Sequence, residues 1–236
     1  MRLFFYSLFL YSLISCSSQK STIKLNDSFK IVVNGIVTNS KGEPIDANLE
    51  VQDLSTSRIV ERPEITNGKF SFSLTSGKLY GWSFQKKGYY TISKNFDTRS
   101  ILKDYNLTQE IQLRTIEEIL NNNETVQANN LFFSKGGIEL LTESKSEIDE
   151  ITRLMKLYTK VKIEVIGHAS SEGDLEYNNK LSEYRANSVL QSLIINGIDS
   201  VRLSSIGMGT KMPIAPNDIE ENRQKNRRVE LLLSTK

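Results

Sequence analysis

Reactive side chains are scarce: the sequence has one cysteine, Cys16, and one histidine, His168. With no second thiol an intramolecular disulfide is impossible, and without His/Cys clusters the usual zinc and copper ligand sets cannot be assembled. Neither a metal nor a cofactor is expected. Charge of one sign is lacking too: 30 Lys+Arg against 28 Asp+Glu leave a formal net charge of +2, and the two signs are interleaved along the chain. A surface that tracks a phosphate backbone needs a single-sign block, so nucleic acid is not an expected partner. No apolar run reaches the roughly 20 residues a spanning helix requires. What remains is an ordinary globular mixture, 38% hydrophobic and 25% charged over 236 residues, enough for one large or two small domains.

The first sixteen residues depart from that mixture. Arg2 precedes the apolar and aromatic run from Leu3 to Tyr11, followed by Leu13-Ile14-Ser15-Cys16. This is the shape of a signal peptide over residues 1–15, and its last four positions resemble a lipobox, in which the cysteine is linked to diacylglycerol before cleavage. Cys16 is the expected lipidation site, with residues 16–28, small and polar, as a tether. Two or three acyl chains such as palmitate, at about 0.8 kcal/mol per buried methylene, anchor a protein stably without a transmembrane helix. The expected location is the outer membrane, lipid-anchored and facing the periplasm, because Ser17 and Ser18 do not resemble an inner-membrane retention signal.

Residues 29–120 predict a small antiparallel β-sandwich. The stretch from Phe29 to Val37 is β-branched and apolar, Ala47 to Val51 alternates, and Asn67-Gly68 is a hairpin signal ahead of the alternating Lys69 to Leu74. A last strand is expected at Glu110–Leu113, and the polar Asn121-Asn122-Asn123-Glu124 reads as the boundary loop. The series Gly35-Ile36-Val37, Gly42-Glu43-Pro44-Ile45, Asn67-Gly68-Lys69-Phe70 and Lys87-Gly88-Tyr89 resembles the carboxypeptidase-regulatory-like β-sandwich. That resemblance implies a spacer or adhesion module without activity of its own.

Over 125–236 strand and helix patterns alternate. Leu131-Phe132-Phe133 reads as a strand, Glu139–Tyr158 as a helix, Lys162–His168 as a strand, Tyr177–Asn196 as a second helix, and Val201–Gly207 and Val229–Leu233 as closing strands. Such an order predicts an α/β sandwich with parallel pairings, giving an α+β two-domain chain.

Four spaced motifs of this half resemble the OmpA-like domain shared by peptidoglycan-associated lipoproteins, porins and flagellar stator proteins. They are Gly167-His168-Ala169-Ser170, the series Asn178, Leu181, Ser182, Arg185, Ala186 and Val189, the pair Gly207 and Gly209, and Asn226-Arg227-Arg228-Val229-Glu230. The resemblance implies binding of the diaminopimelate in the peptidoglycan stem peptide, without hydrolysis. A ligand carboxylate needs a fixed cation, and Arg185 matches the family's gripping arginine, whose planar fork lysine cannot reproduce. Ala169, Ser170, Asn178 and Arg227 match positions near the pocket. This chain departs from the family after Gly-His, where Ala169-Ser170 replaces the usual Thr-Asp, and at Phe133-Ser134, where Phe-Asp is common. Glu172 or Asp174 in the next loop is the available substitute for the missing charge, with solvated loop acids as the bland alternative. His168 reads as structural, satisfied by a backbone group.

Two other readings compete. An esterase-like pairing of Ser170 or Ser182 with His168 lacks the G-x-S-x-G elbow and places base and nucleophile on one extended segment, so no enzyme is expected. An OmpA-like scaffold that has given up diaminopimelate would instead bind other envelope proteins; the lost aspartate motivates it. The expected partners are thus the peptidoglycan stem peptide, the outer membrane through the lipid, and other envelope proteins.

Overall fold

The computed structural model describes residues 28–134 and 136–235. The expected signal peptide and Cys16 lie outside the described residues.

Three sheets and four α-helices are built from these segments. Strands β1 (Lys30–Thr38), β4 (Lys69–Thr75) and β7 (Tyr105–Gln112) form one sheet in the order β4-β1-β7. A second holds β2 (Asn48–Asp53), β3 (Arg58–Glu61), β5 (Leu79–Gln85) and β6 (Ile92–Asp97) in the order β3-β2-β5-β6. Alternation decides which faces meet: Phe70, Phe72 and Leu74 of β4 are buried while the residues between them are exposed. They pack with Ile31, Val33, Trp82 and Phe84, and Trp82 meets Phe72 edge-on at 5.7 Å. Asn67 and Gly68 have φ of 52° and 74°, and Thr66 and Lys69 exchange both backbone hydrogen bonds across them, so the hairpin signal forms a two-residue turn. The sandwich is not wholly antiparallel as expected. β7 arrives from the opposite sheet and runs parallel to β1, whereas a hairpin would have reversed it.

After the sandwich comes helix α1 (Ile116–Asn122), not expected from the sequence, whose last two residues open the polar stretch Asn121–Glu124 read as the boundary loop. Thr115 and Glu118 close a capping box at its start, and Asn123 ends it in the left-handed conformation. Ile116 and Ile119 pack into the C-terminal core together with Tyr90, so the seam between the two clusters falls between Leu113 and Ile116.

The C-terminal sheet has the order β10-β9-β11-β8, from β8 (Thr125–Ala128), β9 (Lys162–His168), β10 (Leu203–Gly209) and β11 (Val229–Ser234). Only β9 and β10 are parallel; β11 is antiparallel to both its neighbours. Helices α2 (Lys145–Leu157) and α3 (Leu175–Ile195) pack Ile148, Ile151, Met155, Ala186, Val189 and Leu193 against Ile163, Val165, Leu231 and Leu233. The strand expected at Leu131–Phe133 is absent, and β8 precedes it. Phe133 instead bridges Leu140, with Leu141 N donating to Phe132 O at 2.9 Å, which holds residues 139–141 out of the helix expected there. A short helix α4 (Glu220–Asn226) completes the set. No helix among the described residues is long and apolar enough to cross a membrane.

The two cores meet along β6. Asn95 Nδ2 donates to Asn129 O at 2.7 Å and to Asn130 Oδ1 at 3.2 Å, Asn129 Nδ2 returns a bond to Ser93 O at 2.8 Å, and Gln85 Nε2 reaches Glu150 Oε1 at 3.1 Å.

Candidate functional site

Helix α3 lies unusually close to the sheet because two glycines face it. A Cβ on Gly167 would stand 2.1 Å from Ser182 O, and one on Gly207 would stand 2.4 Å from Glu183 N. Only residues without a side chain permit this approach. Ser182 fills the remaining space: its Oγ donates to Asn179 O at 2.8 Å and accepts from Gly209 N at 2.9 Å. The result is a fixed distance between α3, which carries Arg185, and the end of β9, where the 169–174 loop begins.

That loop is tied down residue by residue. Ala169 N donates to Gly209 O, Ser171 N to Asn217 Oδ1 at 3.1 Å, and Asn178 Nδ2 to Glu172 O at 2.7 Å. Asp174 accepts from Tyr177 N at 2.8 Å as the N-cap of α3, so its carboxylate is engaged at the helix start. Of the two acids expected to stand in for the missing aspartate, Glu172 turns back: its Oε2 lies 3.4 Å from Ser170 Oγ and 3.2 Å from Arg227 Nη1, and its Oε1 lies 3.1 Å from Arg223 Nε. Ser170 itself is buried, and Arg227 Nη1 reaches its Oγ at 3.4 Å. At these lengths the serine is loosely held. Arg223 and Arg227 also pair with Glu220, leaving two acids and two arginines in near balance.

Arg185 stands differently. Its Nε donates to Gly137 O at 2.9 Å and its guanidinium lies 5.0 Å above the Phe133 ring. Burial, with Arg227 nearby, lowers its pKa, and Tyr177 opposes that shift. No carboxylate among the described residues, Glu183 included, pairs with it. Its half-buried fork opens on a cleft of ≈ 1100 Å³ that Phe133, His168 and Arg227 also line.

Of the sequence-derived site residues, Ser170 and Arg227 come together around Glu172, and Arg185 faces the cleft beside Arg227. Ala169 and Asn178 are spent on the loop's own hydrogen bonds. His168 departs from expectation: it is buried, neither ring nitrogen has a hydrogen-bond partner, and Glu230 Oε2 stays 3.7 Å from Nε2. Burial and Arg228 lower its pKa, so it remains neutral there. Among the described residues it makes no hydrogen bond to Ser170 or Ser182. Arg228 pairs with Glu230 at 2.7 Å as an acid partner beside the last strand would suggest. Sequence reasoning missed Arg223 and, though it quoted Asn226 in a motif, gave it no role. Arg223 sits one helical turn before Arg227, a spacing that has meaning only once α4 is known. Asn226, fully buried, accepts from Ile214 N and Ala215 N and donates to Ala215 O and Asn217 Oδ1, so it supports the segment that in turn holds Ser171.

The 169–174 loop at the end of β9, helix α3 with Arg185, and helix α4 with Arg223 and Arg227 thus lie together at one end of the C-terminal sheet. Residues 132–227 match the family model described as OmpA family, and the C-terminal region carries an OmpA family domain. Similar proteins include Probable lipoprotein YiaD of Escherichia coli K12, 36% identical over 45% of this chain and 48% of that protein. Outer membrane porin F of Pseudomonas aeruginosa is 40% identical over 37% of this chain and 25% of its own length. Among solved structures, the periplasmic domain of Helicobacter pylori MotB is 32% identical, with a TM-score of 0.42 over 48% of this chain and 81% of that one. The chain spans about half the length of YiaD and a quarter of porin F.

Proposed function

We propose that this protein binds the peptidoglycan stem peptide without hydrolysing it and ties the outer membrane to the wall. The observation that carries the reading is the half-buried Arg185, held by Gly137 O and Phe133 and free of any carboxylate among the described residues. A guanidinium so placed has its parallel donors available for a ligand carboxylate, as in bidentate recognition. Ser170 and Glu172 face the ligand's ammonium, with Glu172 supplying the negative charge that the family places at the serine's position. Arg227 and Arg223 aim Glu172, while Asn178 and Ala169 fix the loop.

Cys16 carries the lipid, so that the sandwich, of the carboxypeptidase-regulatory-like kind over 29–120, spaces the wall-binding part (125–236) from the membrane. The likeness of the C-terminal region to lipoproteins and outer-membrane porins supports an envelope location.

Co-sedimentation of the full-length protein, in mild detergent, with purified diaminopimelate-type sacculi tests this. Arg185→Ala should weaken binding about 10- to 100-fold, the worth of hydrogen bonds to a charged group, and Arg185→Lys should not restore it. Glu172→Gln should weaken it less, and Ser170→Asp in that background should recover it. A wild type that fails to sediment, with binding gained only in Ser170→Asp, would mean that the pocket is retired and that the domain serves protein partners.

A further inference from the structure

The cleft beside Arg185 is larger than a diamino acid needs, and most of its lining lies outside the span matched to the OmpA family. Its ≈ 1100 Å³ lies just above the roughly 300–1,000 Å³ that holds a drug-sized ligand. The facing wall comes from the sandwich, through the end of β6 and the connection to β7, with Phe96, Leu102 and Tyr105 lining it. Tyr105 is 42% exposed and Leu102 62%, and Tyr105 stacks on Phe96 with ring centroids 6.3 Å apart and an interplanar angle of 29°.

This wall is preorganised. Thr98, fully buried, donates to Lys78 O at 2.7 Å and accepts from Lys78 N, which fixes the root of the connection. Asp104 Oδ1 accepts from Lys30 N at 2.9 Å and fixes its far end. The floor between the walls is stitched by the Asn95, Asn129 and Asn130 bonds. An aromatic surface held in place binds without the entropy cost of ordering a loop.

Charge decides what fits against it. The ions around the cleft beyond Arg185 are largely paired with one another: Arg99 with Asp97 at 2.6 Å, Arg228 with Glu230 at 2.7 Å, and Lys225 with Glu221 at 3.5 Å. Lys103 stays exposed at the rim. On this wall a phosphate-bearing lipid would find one loose cation, Lys103, whereas a neutral pyranose, apolar on its CH face and polar at its edge, matches the exposed Tyr105 in a cleft that Asn95 and Asn129 also line.

We infer that the sandwich wall is a glycan subsite, in which Tyr105 and Leu102 receive the sugar of the peptidoglycan strand whose stem peptide is gripped by Arg185. The inference rests on the wall-binding reading and extends it to the saccharide. It makes the sandwich part of the binding surface and not only a spacer. A stem peptide is joined to its sugar at the end remote from the gripped residue, and two or three extended residues span about 7–10 Å, so peptide and sugar reach opposite walls of one cleft.

Titration calorimetry on the full-length protein in detergent, with a diaminopimelate stem tripeptide and the same peptide carrying its disaccharide, tests this. The disaccharide form should bind about 5- to 10-fold more tightly, the scale of one aromatic contact. Tyr105→Ala should erase that advantage and leave tripeptide affinity unchanged. Leu102→Asp, at a position too exposed to threaten folding, should reduce it as well. Equal affinity of the two ligands, or an advantage that survives both variants, would overturn the glycan subsite while leaving the Arg185 grip standing. Binding of neither ligand would overturn both.

Discussion

The two halves of the molecule bury polar groups at very different rates. Among the described residues the sandwich buries three polar or charged side chains, Asp53, Ser93 and Thr98, while the C-terminal part from Asn130 onward buries ten. Each buried polar group costs free energy unless hydrogen bonds replace its water. The sandwich therefore owes its stability to side chains such as Trp82 and Phe84, whereas in the C-terminal half Asn178, Ser182 and Asn226 belong to hydrogen bonds that tie down the 169–174 loop and the segments beside it. The difference teaches where mutation should hurt most.

Asn226→Ala should show the largest effect. It strands the Ile214 and Ala215 amides and the Ala215 carbonyl, and should cost roughly 3–5 kcal/mol by urea denaturation. Thr98→Val, the matching change in the sandwich, should cost about 1–2 kcal/mol. Equal costs would break the comparison.

The same contrast governs what the sequence disclosed. Period-two alternation marked β4, and an apolar strand ending at Gly-His marked β9 over its whole observed range of Lys162–His168. Helix α3 was visible by its periodicity, two residues short at its start. Helix α4 was invisible because Glu220–Asn226 contains no apolar residue; Glu220, Arg223 and buried Asn226 hold it by charge and hydrogen bonds. Strand β8 is four residues long and exists through pairing with β11, which lies a hundred residues away. At the site, the resemblance to the OmpA-like domain pointed to Arg185, Ser170 and Arg227, but Arg227's engagement with Glu172 and Glu220 depends on tertiary geometry.

A buried acid at the seam sharpens the comparison through pH. Glu147 of α2 is 4% exposed, its Oε2 lacks a partner, and Ser93 of the sandwich and the Asn130 backbone lie against it. Burial pushes its pKa up to about 7, with Glu150 adding to the rise and the Ser93 and Asn130 bonds opposing it. Tyr90 faces it from the sandwich side with Arg114 in the same neighbourhood. Because the folded pKa lies above the ordinary value of 4.5, folding takes up a proton. Its stabilising effect is present in full below about pH 4.5 and is lost as pH rises through 7, on the order of 3 kcal/mol in all. Denaturation midpoints should thus fall between pH 5 and pH 8, and Glu147→Gln should flatten that fall. An unchanged slope in the variant would place the titrating group elsewhere.

The smallest expected effect separates the two acids of the 169–174 loop. Asp174 caps α3 through Tyr177 N, whereas Glu172 lies beside Ser170. Asp174→Ala should therefore cost about 1 kcal/mol of stability, the usual worth of an N-cap. Asp174→Asn keeps an acceptor at the cap and removes the charge, so stability should return almost fully and sacculus binding should match wild type. Glu172→Gln should do the reverse, leaving the denaturation midpoint nearly unchanged and weakening binding. If Asp174→Asn weakened binding as much as Glu172→Gln, the ammonium would be read by the field of both carboxylates, and the assignment of the charge to Glu172 alone would fall.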